Sequence, residues 1–148
     1  HITHRATGKQ IGSMQGGGAA GGCAAFLHAY LDAQIVDGAT FLLDKMKFDK
    51  KLDGCNILIT AEGRIDEQTR HGKGPYAVAQ KAKGQGLFVV ALAGQIAADF
   101  DVSEYPAFDA VFAIGAGPSS LDEAIEKTAI NLQRTATQIG NLLAAQVC

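Results

Sequence analysis

The sequence predicts an α/β fold, a mainly parallel sheet flanked by helices, and three observations carry that expectation. Leu87 to Ala93 (LFVVALA) is an almost unbroken apolar run, the pattern of a strand whose sheet is covered on both faces. Shorter apolar runs at Asn56 to Thr60 and Phe108 to Ile114 alternate with helix-compatible segments, the order in which right-handed crossovers join parallel strands. From Ser120 onward Leu121, Ile125, Ala129, Leu132, Ala136, Ile139 and Leu143 recur every three or four positions, one stripe of a long amphipathic helix.

Taken in order, the chain opens with a polar stretch, His1 to Gln10, and then reads QGGGAAGG at Gln15 to Gly22. That Gly-rich segment, 15–22, runs into an apolar stretch, Cys23 to Leu31, so a loop entering a helix is expected. Phe41 to Leu52 mixes apolar residues with lysines and aspartates at near-helical spacing and is closed by Gly54, which predicts a second helix. After the strand Asn56 to Thr60 comes a charged loop, 61–74, ended by Pro75. Proline suits the first position of a helix, where its missing N–H has no partner to lose, so Pro75 to Lys83 is expected to be helical and Gly84 and Gly86 to end it. Strand Leu87 to Ala93 is expected to stop at Gly94, and an acidic link leads to the third strand. Ser120 and Glu123 form a capping box that starts a terminal helix over 120–146.

A chain of 148 residues, 47% hydrophobic, can bury a core of ordinary domain size, and a single domain is the first expectation. The formal net charge of -2 comes from 13 basic and 15 acidic residues spread along the chain, so no positive patch suits nucleic acid or an anionic membrane. Cys23, Cys55 and Cys148 are far apart and odd in number, which argues against a disulfide framework and fits a cytoplasmic location. No apolar run approaches the roughly 20 residues of a membrane-spanning helix. The opening His1, in place of Met, is expected of a truncated chain, and equally of a processed or tagged one.

Ligands of open parallel sheets bind beyond the carboxyl ends of the strands, which directs attention to the loop after Thr60. Its sequence, AEGRIDEQTRHGK from Ala61 to Lys73, gathers acids, cations and hydrogen-bonding groups ahead of a helix N-terminus. Phosphoryl transfer needs cations for phosphate oxygens, a carboxylate for Mg²⁺ or the attacking hydroxyl, and amides open to anions. Lys73, between Gly72 and Gly74, is either such a cation beside the positive helix end or a solvated lysine. Glu62 and Asp66 are metal or hydroxyl partners, or Asp66 bonds its own backbone in a turn. Arg64 clamps an anion or pairs with Asp66 or Glu67, and His71 is a proton carrier or a solvated residue. Among Gly16 to Gly22, ligand approach is expected of Gly16, Gly17 and Gly18 and tight packing of Ala19 to Gly22; the segment is no Walker A sequence, since GxxxxGK[ST] is absent. Asp99, Asp101, Glu104 and Asp109 are expected only to solvate their link.

GGGAAGG at Gly16 to Gly22, ITAEGRIDEQTRHGKGPYAVAQKAK at Ile59 to Lys83 and VVALAG at Val89 to Gly94 together resemble the glycerate kinase family of bacterial type, from about Gly8 to the C-terminus. The resemblance implies an ATP-dependent kinase that phosphorylates D-glycerate, with the 2-hydroxyl as acceptor and Mg²⁺ as companion ion, in a fold of two unlike α/β domains with the site between them. It places Glu62, Arg64, Asp66, Gln68, Thr69, Gly72 and Lys73 at motif positions, with Gly16, Gly18, Gly21 and Gly22. Chemistry then suggests Lys73 and Arg64 for phosphate or carboxylate oxygens, Asp66 or Glu62 for Mg²⁺ or the hydroxyl, and Gln68, Thr69, Gly72 and Gly16 to Gly18 for substrate or nucleotide. Two departures stand out: Gln15-Gly16 replaces a proline, and Gly74 replaces a residue with a side chain. Family members are also considerably longer, so residues 1–148 are expected to be the C-terminal portion of such an enzyme, with the missing N-terminal portion as partner and little turnover alone. The alternatives are a non-catalytic module that binds a small anionic metabolite, and a structural remnant that binds no ligand.

Overall fold

The computed structural model describes residues 2–70 and 73–145, and the chain divides into two compact units, 1–38 and 39–148. In the first unit, helix α1 (Ile2–Thr7) covers part of the polar opening, for which no element is expected from sequence. Helix α2 (Cys23–Leu31) has the expected bounds. It begins at Gly22, whose φ of 95 suits only a residue without a side chain, and ends at Asp32, whose carboxylate is held by the Lys9 ammonium. Ala25 and Ala29, one turn apart, are its buried face.

In the second unit, the helix expected over Phe41 to Leu52 is two helices, α3 (Gly38–Lys45) and α4 (Phe48–Lys51), separated where Lys47 takes a φ of 51. The break lets Asp44 and Asp49 meet the same cation, Lys81, at 2.8 and 3.1 Å. It also turns Phe48 and Leu52 into the core. Lys81 sits near the end of helix α5 (Gly74–Gly84), which starts one residue earlier than expected, with proline in its first turn.

Three parallel strands form one sheet in the order β1 (Ile57–Ile65), β2 (Phe88–Ile96), β3 (Ala110–Ala113). Both long strands outrun their sequence expectation. β1 continues through Ala61 to Ile65, so Glu62 and Arg64 lie on the strand rather than in a loop, and β2 passes through Gly94 instead of stopping there. The reason is pairing, which side-chain type does not reveal: Glu62 faces Ala93 and Arg64 faces Gln95 in unbroken register. Between these pairs the glycines come so close that a Cβ on Gly94 would stand 2.7 Å from the carbonyl oxygen of Gly63. Beyond them Ile65 and Ile96 join the same core as Leu58 and Ala93, although strict alternation would send them to the opposite face. The third strand is shorter than the expected Phe108 to Ile114, because Phe108 is drawn into the aromatic core and Asp109 into bonds with Val89.

The core on the α5 side contains Tyr76, Ala79, Ala82, Val89, Ala91, Tyr105 and Phe108, with the Tyr76 and Phe108 rings edge to face at 5.3 Å. The other face holds Val90, Leu92 and Ile114 against Ile139 and Leu143. Those last two belong to helix α7 (Thr128–Ala145), which is separate from α6 (Leu121–Glu126); the single helix expected from Ser120 is interrupted at Lys127. The predicted capping box is present, with Ser120 and Glu123 closing the start of α6 on each other. The apolar stripe is only partly buried, since Leu121 and Ile125 are exposed and the inward positions of α7 are Asn131, Thr135, Ile139 and Leu143, four residues apart. The expected end of this helix, residue 146, lies outside the described residues, as does Cys148.

Candidate functional site

The carboxyl end of β1 gathers the charged residues of the 61–74 segment. Glu62 is carried by the strand with its side chain 15% exposed, and its two oxygens are both engaged: Oε1 lies 2.8 Å from Lys73 Nζ and Oε2 accepts the Thr69 hydroxyl at 3.2 Å. Lys73 is the N-cap residue of α5, in extended conformation, so its side chain turns back across the strand end. It also lies 3.9 Å from Asp66 Oδ1. Lys73 is thus ion-paired while its side chain keeps 35% exposure. Its hydrogen bond to Glu62 raises the Lys73 ammonium above the ordinary lysine range, so it is a cation, not a base, at neutral pH.

Asp66 takes its turn reading, and Arg64 its pairing with Asp66. Asp66 Oδ1 accepts the Gln68 backbone N–H at 3.0 Å, an Asx turn, while Oδ2 stands 3.3 Å from Arg64 Nε. The side chain keeps 25% exposure, more than that of Glu62. Thr69 locks the turn: its hydroxyl accepts the Asp66 N–H at 3.2 Å while donating to Glu62, and its own N–H reaches the Asp66 carbonyl at 2.9 Å. Thr69 is fully buried, so these bonds have no competing water. Gln68 joins through its backbone. Gly72 and His71 lie outside the described residues.

The structure thus brings Glu62, Arg64, Asp66, Thr69 and Lys73 into one cluster. Sequence reasoning missed Arg70, which pairs with Glu104 at 3.3 Å and lies 5.4 Å over the Tyr105 ring, pinning the turn after β1 to the link after β2. Nothing in local spacing could have paired residues so far apart. Three of the acids expected only to solvate that link, Asp101, Glu104 and Asp109, do more. Asp101 caps a short turn through the Ser103 N–H, and Asp109 accepts from Val89 N at 2.8 Å and from Lys83. Burial raises the Asp109 carboxyl, but these two donors outweigh it and leave it below the usual carboxylate range.

The Gly-rich segment belongs to the first unit. Its crowded positions are Gly16 and Gly17, where an added Cβ would meet Ile35 Cγ2 and the Met14 carbonyl at 3.0 Å each. Gly18 is exposed, in keeping with the expected ligand approach, whereas Ala19 to Gly21, expected to pack, are exposed as well. Among the described residues there is no cluster of three or more metal-ligating side chains, and no helix is long and apolar enough to cross a membrane.

Residues 1–144 match the sequence model of the glycerate kinase family. A glycerate kinase from Bacillus cereus is 37% identical over 94% of this chain and 36% of its own length. The glycerate 2-kinase of Escherichia coli K12 is 34% identical over 97% of this chain and 38% of its own. The crystal structure of a glycerate kinase 2 from Salmonella typhimurium LT2 superposes with a TM-score of 0.72 at 34% identity, over 100% of this chain and 38% of that one. The chain therefore spans a little over a third of the length of the relatives it matches.

Proposed function

The chain belongs to the glycerate kinase family, and from that premise we propose that it takes part in ATP-dependent phosphorylation of D-glycerate to 2-phosphoglycerate, a step of organic-acid metabolism in the cytoplasm. On this reading turnover also requires the region that relatives carry beyond the match. The observation that carries the proposal is the Lys73 ammonium, set at the N-terminus of α5 and steadied by Glu62 and Asp66. A fixed cation at a strand end is what an in-line transfer of a charged phosphoryl group requires.

The roles follow from how each group is engaged. Lys73 and Arg64 neutralise oxygens of the transferring phosphoryl group or of the glycerate carboxylate. Asp66, the more exposed carboxylate, is the one open to the companion ion. Glu62, with both oxygens engaged, holds Lys73 in place. Of Gly16, Gly17 and Gly18, Gly18 alone has open space where a Cβ would stand and is the one suited to backbone approach.

The donors fit Mg²⁺ only in the manner usual for nucleotide enzymes, one protein carboxylate with phosphates and water supplying the rest. Asp66 would hold the ion, which would draw negative charge from the phosphate oxygens. A coupled assay of ADP release with ATP, Mg²⁺ and D-glycerate tests the function on this chain and on a polypeptide extended to the relatives' full length. Glycerate-dependent release from the longer protein is expected. Its absence from both, with each shown to be folded, would remove the assignment.

A further inference from the structure

Two polar residues are buried among the described residues, Thr69 and Asn131. Thr69 is accounted for by Glu62 and Asp66. Asn131 is 9% exposed, yet its carboxamide has no hydrogen-bond partner among the described residues, and no polar atom of it is both sealed from solvent and unpaired. It lines a cavity of ≈ 270 Å³ beyond the carboxyl end of β3, together with Gly117, Pro118, Ser119, Ala124 and Lys127. Beside it Arg134 on α7 donates to the Ile114 carbonyl at 2.8 Å, and Ser120 and Glu123 satisfy each other at the start of α6.

A carboxamide offers a donor and an acceptor side by side, the complement of the edge of a purine, and Asn is a common bidentate partner of adenine. The apolar walls from Pro118 and Ala124 suit the face of a flat ring. Lys127 and Glu123 both line the cavity and balance in charge, which favours a neutral heterocycle over a free oxyanion. The position also fits. Glu62 pairs with Ala93, and Ala93 with Ala113, so Glu62, the partner of Lys73, stands level with the end of β3 across two strand spacings, about 10 Å. We infer that this cavity binds the adenine base of a nucleotide, with Asn131 reading the base edge and the phosphates directed toward Lys73. The choice of adenine rests on the kinase reading above.

Adenosine, which lacks phosphates, is the probe, titrated into the ¹⁵N-labelled chain while the Asn131 side-chain amide resonances are followed, with inorganic tripolyphosphate as a separate titrant. Saturable shifts of the Asn131 amide with adenosine are expected. Asn131→Leu and Asn131→Asp should each weaken adenosine binding about tenfold or more, the effect of losing one or two hydrogen bonds, and leave tripolyphosphate binding unchanged. If adenosine leaves Asn131 unperturbed in the folded chain, or binds the variants as well as the parent, the inference is overturned, whatever the kinase assay gives. If adenosine shifts Asn131 but no ADP is released from the longer protein, the base site stands and the kinase reading falls.

Discussion

Replacing Thr69 by valine keeps the shape of the side chain and removes the hydroxyl. In the folded protein that hydroxyl donates to Glu62 Oε2 and accepts from the Asp66 N–H, both at 3.2 Å, within a fully buried residue. Losing a hydrogen bond to a charged group costs about 1.5–3 kcal/mol, and leaving a buried donor unpaired about 1–3 kcal/mol. Partial rehydration of Glu62 offsets some of this, so about 2–4 kcal/mol of destabilisation is expected. With a urea slope of about 1–3 kcal/mol per molar, the unfolding midpoint should fall by roughly 1–2 M without a change in slope. Thr69→Ser, which keeps the hydroxyl, should lose only about 1 kcal/mol for its missing methyl. A shift for Thr69→Val smaller than that for Thr69→Ser would refute the claim that the hydroxyl holds the turn.

Three further outcomes are expected. Gly94→Ala should destabilise the sheet by about 1–3 kcal/mol, because its Cβ would stand 2.7 Å from the Gly63 carbonyl oxygen and backbone must move; thermal unfolding measures it, and an unchanged midpoint would show that the close approach is slack. Lys73→Ala in the complete enzyme should lower turnover about 100-fold or more, the scale of losing a preorganised charge partner, while a change within about threefold would return Lys73 to a surface role. Asp109 is depressed in the folded state, so its contribution to stability is present above the unfolded carboxylate value of about 3.9 and is lost as pH falls through the lower folded value. Urea unfolding between about pH 5 and pH 2 should therefore show a steeper acid decline in the parent than in Asp109→Asn.

The local segments of the fold were legible in the sequence where a pattern is enforced by the segment itself. Helix α2 and the capping box at Ser120 matched residue for residue, because each depends on neighbours within a turn. Helix α5 was legible from Pro75, whose fixed φ and missing N–H suit a helix start. The lengths of β1 and β2 were not, since Gly63 and Gly94 read as stops in isolation and become a close backbone contact only when the strands pair. The break at Lys47 was hidden for the same reason, as Asp44 and Asp49 converge on Lys81 from a separate helix.

The site divides along the same line. The sequence by itself determined the fold class, the family and the set of chemical groups around residues 61–74, because composition, periodicity and a long ungapped motif are properties of the chain alone. Only the tertiary structure decided that Glu62 and Arg64 stand on a strand, that Thr69 is a buried clasp, and that Lys73 pairs with Glu62. It alone decided that Asn131, one polar residue in a helical stripe, faces a cavity. Those facts depend on distances between residues remote in sequence, set by strand register and helix packing, and no local preference encodes them.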